Sequence, residues 1–190
     1  MMIHNRSFYS MSLNSNQIKH VSLKTSILMT VQATTLNHEI ILASDFSPKR
    51  TVLIPVDGSK NSAHALDHAI KSLLNAENDL VVLLHARTMA TFAAALAMNY
   101  HEFAKSEYKQ SVTLLESLAE KLKSNGYHVK AISTAGDARD VIDDQIELSK
   151  PDLVVVASHG QGALEKAFVG SVSQHVLRHS KAPVVVIPLH

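Results

Sequence analysis

The stretch ASHGQGALEKAFVGSVS, residues 157–173, directly follows the apolar run Leu153–Val156. It holds Gly160, nine intervening residues, Gly170, and then Ser171 and Ser173 around Val172. A phosphate is held by backbone N–H groups that approach it closely, and glycine lets the chain come near without a Cβ in the way. A helix start adds unpaired N–H groups and a dipole that favours negative charge. Gly170-Ser171-Val172-Ser173 combines a glycine, a helix start and two hydroxyl donors. The plainer reading is that the glycines serve turns and Ser171 merely caps a helix.

A second candidate is Asp57-Gly58-Ser59, which follows another apolar run. Its aspartate is either a ligand acceptor or an Asx-turn joining strand to helix. His159 either touches a phosphate or is a solvated loop residue. His64/His68 and His175/His179 stand at i, i+4, the spacing of paired metal ligands. Neither pair has the glutamate of the metalloprotease pattern, and exposed helix faces collect such pairs by chance, so no metal is expected. Lys166 lies in the glycine-rich span, but the GxxxxGK[ST] arrangement is absent and it reads as a solvated turn residue.

Composition bounds the chemistry. A chain of 190 residues with 46% hydrophobic and 18% charged residues suits one globular domain with a tail. A formal net charge of +1 gives no polybasic face for nucleic acid, and none is expected as a partner. The absence of cysteine excludes disulfides, thiolate metal sites and thiol catalysis, and fits a cytoplasmic location. No apolar stretch approaches the ~20 residues of a membrane-spanning helix, so no membrane partner is expected.

Residues 1–50 read as an N-terminal extension, expected to be disordered. Residues 1–38 lack Asp and Glu but contain Arg6, Lys19 and Lys24, and six serines fall within the first 28 positions. No compact apolar centre of a secretory signal is present. Organellar targeting is the alternative that a Ser-rich, acid-poor tail leaves open, as is a true start at Met29.

From Thr51 onward short apolar runs alternate with helical periods. Thr51–Val56, Leu80–Ala86, His128–Ser133, Leu153–Ala157 and Pro183–Pro188 predict five strands, four of them nearly continuous in Val, Ile and Leu. His128–Ser133 alternates, which predicts an edge or a wetter face. Ala63, Leu66, Ile70, Leu73 and Leu74 form a helical stripe behind a Ser59 cap. Tyr108, Val112, Leu115, Ala119 and Leu122 form a second, stopped by Asn125-Gly126. Gly136-Asp137 opens a third with Ala138, Val141, Ile142 and Ile146, and Ser171 a fourth with Val172 and Val176 inward. Arg87–His101 fits no element. This alternation predicts an open α/β fold with a five-stranded parallel sheet and helices on both faces. Ligands then bind beyond the C-terminal strand ends, where strand order reverses.

From Thr51 to Leu189 the chain resembles the universal stress protein family, whose fold is Rossmann-like. The nucleotide-binding members carry glycine, two residues, glycine, nine residues, then glycine with serine or threonine. Gly160, Gly170 and Ser171 match the last three elements, and PVDGS at 55–59, LLHA at 83–86, SHG at 158–160 and APVVVIP at 182–188 fit as well. Residues 51–190 are therefore expected to form a universal stress protein domain. The first glycine of the pattern is Ala157 here, harmless at φ < 0 and costly at φ > 0 or against a ligand.

The resemblance implies binding of ATP or AMP, with any Mg2+ carried by the phosphates. It implies that Asp57 accepts from ribose hydroxyls and that Pro55, Val56 and Ala86 line an adenine slot. Ser158, His159 and Gly160, with Gly170, Ser171, Val172 and Ser173 and the substituted Ala157, would surround the phosphates. It also implies a homodimer through the last strand, 183–188. No dedicated base, acid pair or arginine clamp stands near the loop, so no catalytic residue is expected and any ATP hydrolysis should be slow. The alternatives are a member with an empty pocket that acts through dimerisation, and an adenine-nucleotide hydrolase. The latter would want SGGxDS after the first strand, where this chain has PVDGS.

Overall fold

The computed structural model describes residues 37–40, 47–87, 100–160 and 169–188, all within the unit Leu36–His190. Strand β1 is Asn37–Ile40 and β2 Arg50–Pro55, followed by helix α1, Lys60–Ser72, and β3, Asp79–Arg87. Helix α2, Tyr100–Ser124, leads to β4, His128–Ala135, then α3, Ala138–Ser149, and β5, Leu153–Ala157. Helix α4, Ser171–His179, and β6, Val184–Ile187, complete the order. The tail before residue 37, the centre of the Arg87–His101 connection and Lys166 lie outside the described residues.

Period-two alternation divides the core. Val52 and Ile54 of β2 join Val81 and Leu83 of β3 on one face, beneath Ala65, Leu66 and Ala69 of α1 and Leu115, Ala119 and Leu122 of α2. Leu53, Val82, Leu84, Val154 and Val156 turn to the other face, beneath Val141, Ile142 and Ile146 of α3 and Val176 of α4. Each fully buried Leu, Ile or Val of these layers contributes about 1.5–3 kcal/mol through lost contact with water. The inward stripe of α1 is offset from expectation: Ala63 is exposed while Ser62, Ala65 and Ala69 are buried, and Leu73 and Leu74 pack on the core from beyond the helix end. Small alanines on the inner face let the helix lie close to the sheet.

Strand order is β1-β4-β3-β2-β5-β6. The five expected strands are parallel to their neighbours, and the fold is the expected α/β sheet with helices on both faces. A sixth strand is added: β1, within the stretch read as an extension, pairs antiparallel with β4 from Asn37↔Thr134 to Ile40↔Ala131. The alternating strand β4 is thus the outermost of the parallel five, and β1 lies over its edge. At the other margin stands β6. The order reverses at β2, which has β3 on one side and β5 on the other.

Local chemistry explains the ends. The Ser59 hydroxyl accepts from Ser62 N at 3.1 Å and starts α1. Gly126 takes φ 84 just past α2, a conformation that side chains other than glycine resist.

One polar chain crosses the core between β3, α2 and β4. His85 Nδ1 lies 2.7 Å from Ser111 Oγ, which lies 2.7 Å from Ser133 Oγ, and both serines are buried. Burial lowers the His85 pKa against the opposing pull of the Asp57 and Glu107 carboxylates, with the Arg87 charge lowering it further. A folded value below the unfolded value of about 6.5 means that the stabilisation is complete above that pH and is lost as pH falls towards the folded value. The thermal midpoint should therefore drop between pH 7 and pH 5, and by less in His85→Gln. An equally steep slope in the variant would assign the titration to another group.

Candidate functional site

The reversal point opens a cavity of about 480 Å³ at the C-terminal ends of β2, β3 and β5. Pro55 and Val56 come from β2 and the residue after it, Leu84 and Ala86 from β3, and Val156 and Ala157 from β5. Ala138 and Ile142 of α3 form the wall on the apolar side. Asp57, Ser62, His159, Gly160, Val169, Gly170 and the first turn of α4 complete the lining, with Asp57 and Gly160 side by side. The predicted residues Pro55, Val56, Asp57, Ala86, Ala157, His159, Gly160, Gly170, Ser171, Val172 and Ser173 thus meet in one wall.

Ser158 does not join it. Its side chain is buried, its N–H donates to Ile187 O at 2.8 Å, and its carbonyl accepts from Gly170 N at 2.6 Å. Its role is to tie the end of β5 to β6 and to the start of α4. Leu84, Ala138, Ile142, Ser62, Val156 and Val169 line the cavity without having been singled out in the sequence. Five of these are apolar side chains indistinguishable in sequence from core. Only Ser62 carried a usable signal, a serine three residues after a capping serine.

Of the two functions anticipated for Asp57, the Asx-turn is formed. Its Oδ1 accepts from Ser59 N at 3.0 Å, closing an Asx-turn, and its N–H faces Ser62 Oγ at 3.4 Å. Ser62 Oγ in turn donates to Ser59 O at 3.1 Å. Gly160 lies directly beside the carboxylate: a Cβ there would come within 2.6 Å of Asp57 Oδ2. The absence of a side chain at Gly160 is what allows the carboxylate and the loop backbone to approach.

Helix α4 begins differently from α1 and α3. Ser59 and Asp137 cap those helices with side-chain oxygens, whereas the N-cap of α4 is Gly170, at φ −69 and ψ 160, with no side chain to offer. The N–H groups of its first turn point at the end of the cavity nearest Gly160. Ser173 is buried and its hydroxyl donates to Ala157 O at 2.6 Å, so it fastens α4 to β5. Ser171 is exposed. Ala157, where the family pattern has glycine, ends β5 without a positive φ, and its methyl packs with the core layer under α1 and α2. Alanine therefore meets no conformational penalty at that position.

The histidine pairs are arranged as separate contacts. His175 Nε2 lies 2.7 Å from Asp143 Oδ2, joining α4 to α3, and the His175 and His179 rings stack at 4.3 Å. His64 and His68 are exposed.

The sequence pattern of the universal stress protein family matches residues 49–188, and the chain belongs to that family. It is similar to universal stress protein MJ0577 of Methanocaldococcus jannaschii, with 27% identity over 154 residues, covering 73% of this chain and 94% of that one. It is 33% identical over 89 residues to universal stress protein A-like protein of Arabidopsis thaliana, a match covering 47% of this chain and 51%, about half, of that relative. The solved structure of MJ0577 has a TM-score of 0.65 at 24% identity, covering 76% of this chain and 99% of that one. An Arabidopsis thaliana universal stress protein family protein, solved with AMP bound, has a TM-score of 0.57 at 21% identity, covering 74% and 92%. At these identities the structural likeness is one of fold.

Proposed function

We propose that this chain is a regulatory module that takes ATP or AMP into the cavity at the sheet reversal, with slow hydrolysis or none. The observation that carries the reading is the meeting of Asp57 with Gly160 and the side-chain-free start of α4 around one cavity. Asp57 would accept from ribose hydroxyls. Pro55, Val56, Leu84 and Ala86 would hold the base in an apolar slot. Backbone N–H groups from Gly160 through the first turn of α4 would meet the phosphates, any Mg2+ arriving on them. The fold neighbour solved with AMP bound, and another solved in complex with cAMP, are consistent with this use of the fold. Ala157 changes the family pattern without a positive φ and with its methyl directed to the core, which supports a working cradle.

A second reading, a member that acts through dimerisation with its pocket empty, is favoured by β6. This edge strand is Val-Val-Val-Ile between Pro183 and Pro188, its valines only half-buried. A homodimer through residues 183–188 would cover an edge that otherwise invites pairing. It is compatible with either reading.

Titrating the protein with ATP should give saturable binding, and Gly170→Val should abolish it with the far-UV circular dichroism unchanged. At φ −69 and ψ 160 valine is accepted by the backbone. A Cβ there already lies 3.4 Å from His159 Cα and from Ser158 O, so the branched γ-carbons would crowd the anion end. Unaltered affinity in the variant would move the nucleotide elsewhere. Absence of binding in the parent, with a dimeric mass by light scattering, would select the second reading.

A further inference from the structure

The five parallel strands have two margins. At one stands β6, four residues long between Pro183 and Pro188. At the other stands β4, eight residues long. An edge strand presents a row of N–H and C=O groups on which another chain can pair, and proteins blunt it with prolines, charges, short length or a cover. The sequence of β4, HVKAISTA, holds no proline, and Lys130 is its single fixed charge. Its edge is instead occupied by β1, among the described residues the one strand that runs antiparallel to its neighbour. β1 covers Ala131 to Thr134 and leaves a strand of only four residues outermost.

Direction and reach say whose place β1 takes. A second copy that continued the sheet across a two-fold axis would set β4 against β4 antiparallel, the direction that β1 already uses. Reach allows β1 to sit on its own β4. Ile40 stands opposite Ala131, which is level with Leu83 and, through it, with Ile54. The connection to Arg50 must therefore cross three strand spacings and descend four residues of β2. That path is about 14 Å across and about 13 Å along the strands, roughly 20 Å in all. The nine residues 41–49 that make it can reach about 33 Å.

We propose that β1 is a built-in cap that closes the β4 edge to a second copy of this chain. Where copies also pair through β6, an open β4 would give each molecule two different two-fold contacts, and these build an open row of subunits rather than a closed dimer. With β1 seated, growth at this margin stops. The short tether favours the seat by making the pairing intramolecular, at an effective concentration on the order of mM that a free copy would have to match. The cap acts independently of the cavity and of what it binds.

The test releases β1 in the full chain with His38→Pro and Glu39→Pro together. Neighbouring N–H groups of a strand point to opposite sides, so one of the two prolines removes a donor aimed at β4. Far-UV circular dichroism and a cooperative thermal transition confirm that the variant folds. In sedimentation at matched, rising concentrations, its weight-average mass should climb about twofold or more above that of the parent. Equal masses throughout would overturn the cap. A second variant, Asn37→Cys with Thr134→Cys, leaves the rest of β1 intact and answers independently of the first. The chain has no cysteine of its own, and these two positions are partners in the register. Oxidation should join them within one chain, seen as a single-chain band on a non-reducing gel, with the mass in solution equal to the parent's. A disulfide between two chains would give β1 to a partner's β4 and overturn the cap, as would the failure of any disulfide to form.

Discussion

Asp79→Asn is expected to lower the free energy of unfolding by about 3 kcal/mol, the lower end of the range for a broken buried ion pair. Asp79 is the first residue of β3 and is 1% exposed; its partner Arg50, the first residue of β2, is 36% exposed. The guanidinium meets the carboxylate twice, Nε to Oδ1 at 2.8 Å and Nη2 to Oδ2 at 2.6 Å, and also donates to Leu73 O at 2.8 Å. Asn75 N donates to Oδ2 at 2.7 Å. Two strand starts and the exit of α1 are thus fastened by one carboxylate. Removing its charge leaves those donors facing a weaker acceptor in a buried position, while the partial exposure of Arg50 lets water recover some of the loss.

The pH dependence has a definite sign. Burial by itself would raise the Asp79 pKa, but the hydrogen bonds from Arg50 and Asn75 N and the Arg50 charge outweigh it and hold the pKa below its ordinary value. The stabilisation is therefore complete above about pH 4 and is lost as pH falls through the folded value. Urea midpoints of parent and Asp79→Asn should differ most near neutrality and converge in strong acid. The pair is at the N-terminal ends of the strands, away from the cavity, so ATP affinity of the folded variant should be unchanged. Midpoints equal at neutral pH would reduce the pair to the weight of an exposed surface contact.

The parts of this molecule that were legible in its sequence are those written in a repeating period. Nearly continuous Val, Ile and Leu runs marked four of the five parallel strands, because a strand covered on both faces has no polar position to interrupt it, and alternation marked the fifth, β4. Asn125-Gly126 marked the end of α2 because the turn there needs φ > 0. Strand β1 was not legible: NHEI has neither a run nor an alternation, and its pairing is supplied by Ala131–Thr134 of β4, far along the chain. The stripe of α2 passed over Ser111, which is fully buried but is made tolerable by His85 and Ser133, partners that local sequence does not reveal. At the site, the glycines and Asp57 were open to a turn reading as much as to a ligand reading, and the family resemblance is what singled them out. Ala138 and Ile142 did not stand out, since an apolar side chain that lines a cavity and one that fills a core follow the same periodicity.

Gly160→Ala is expected to weaken ATP binding by about 10- to 100-fold, the loss of a hydrogen bond to a charged group, while changing stability by less than about 1 kcal/mol. The φ of Gly160 is not positive, so alanine meets no conformational objection. Only the contact opposes it: the new Cβ would lie 2.6 Å from Asp57 Oδ2 and 3.7 Å from Asp57 Cγ. The carboxylate must swing away, and Oδ1, bonded to Ser59 N, must follow or break its turn. A ribose hydroxyl that used this carboxylate would then lose its acceptor. A double-mutant cycle makes the claim specific. Asp57→Ala alone should cost a similar factor, and adding Gly160→Ala to it should cost little more, because the atom that the methyl displaces is gone. Multiplicative losses in the double variant would mean that the bare backbone at Gly160 serves the ligand directly and not through Asp57. An unchanged affinity in both single variants would remove the aspartate–glycine pair from the binding site.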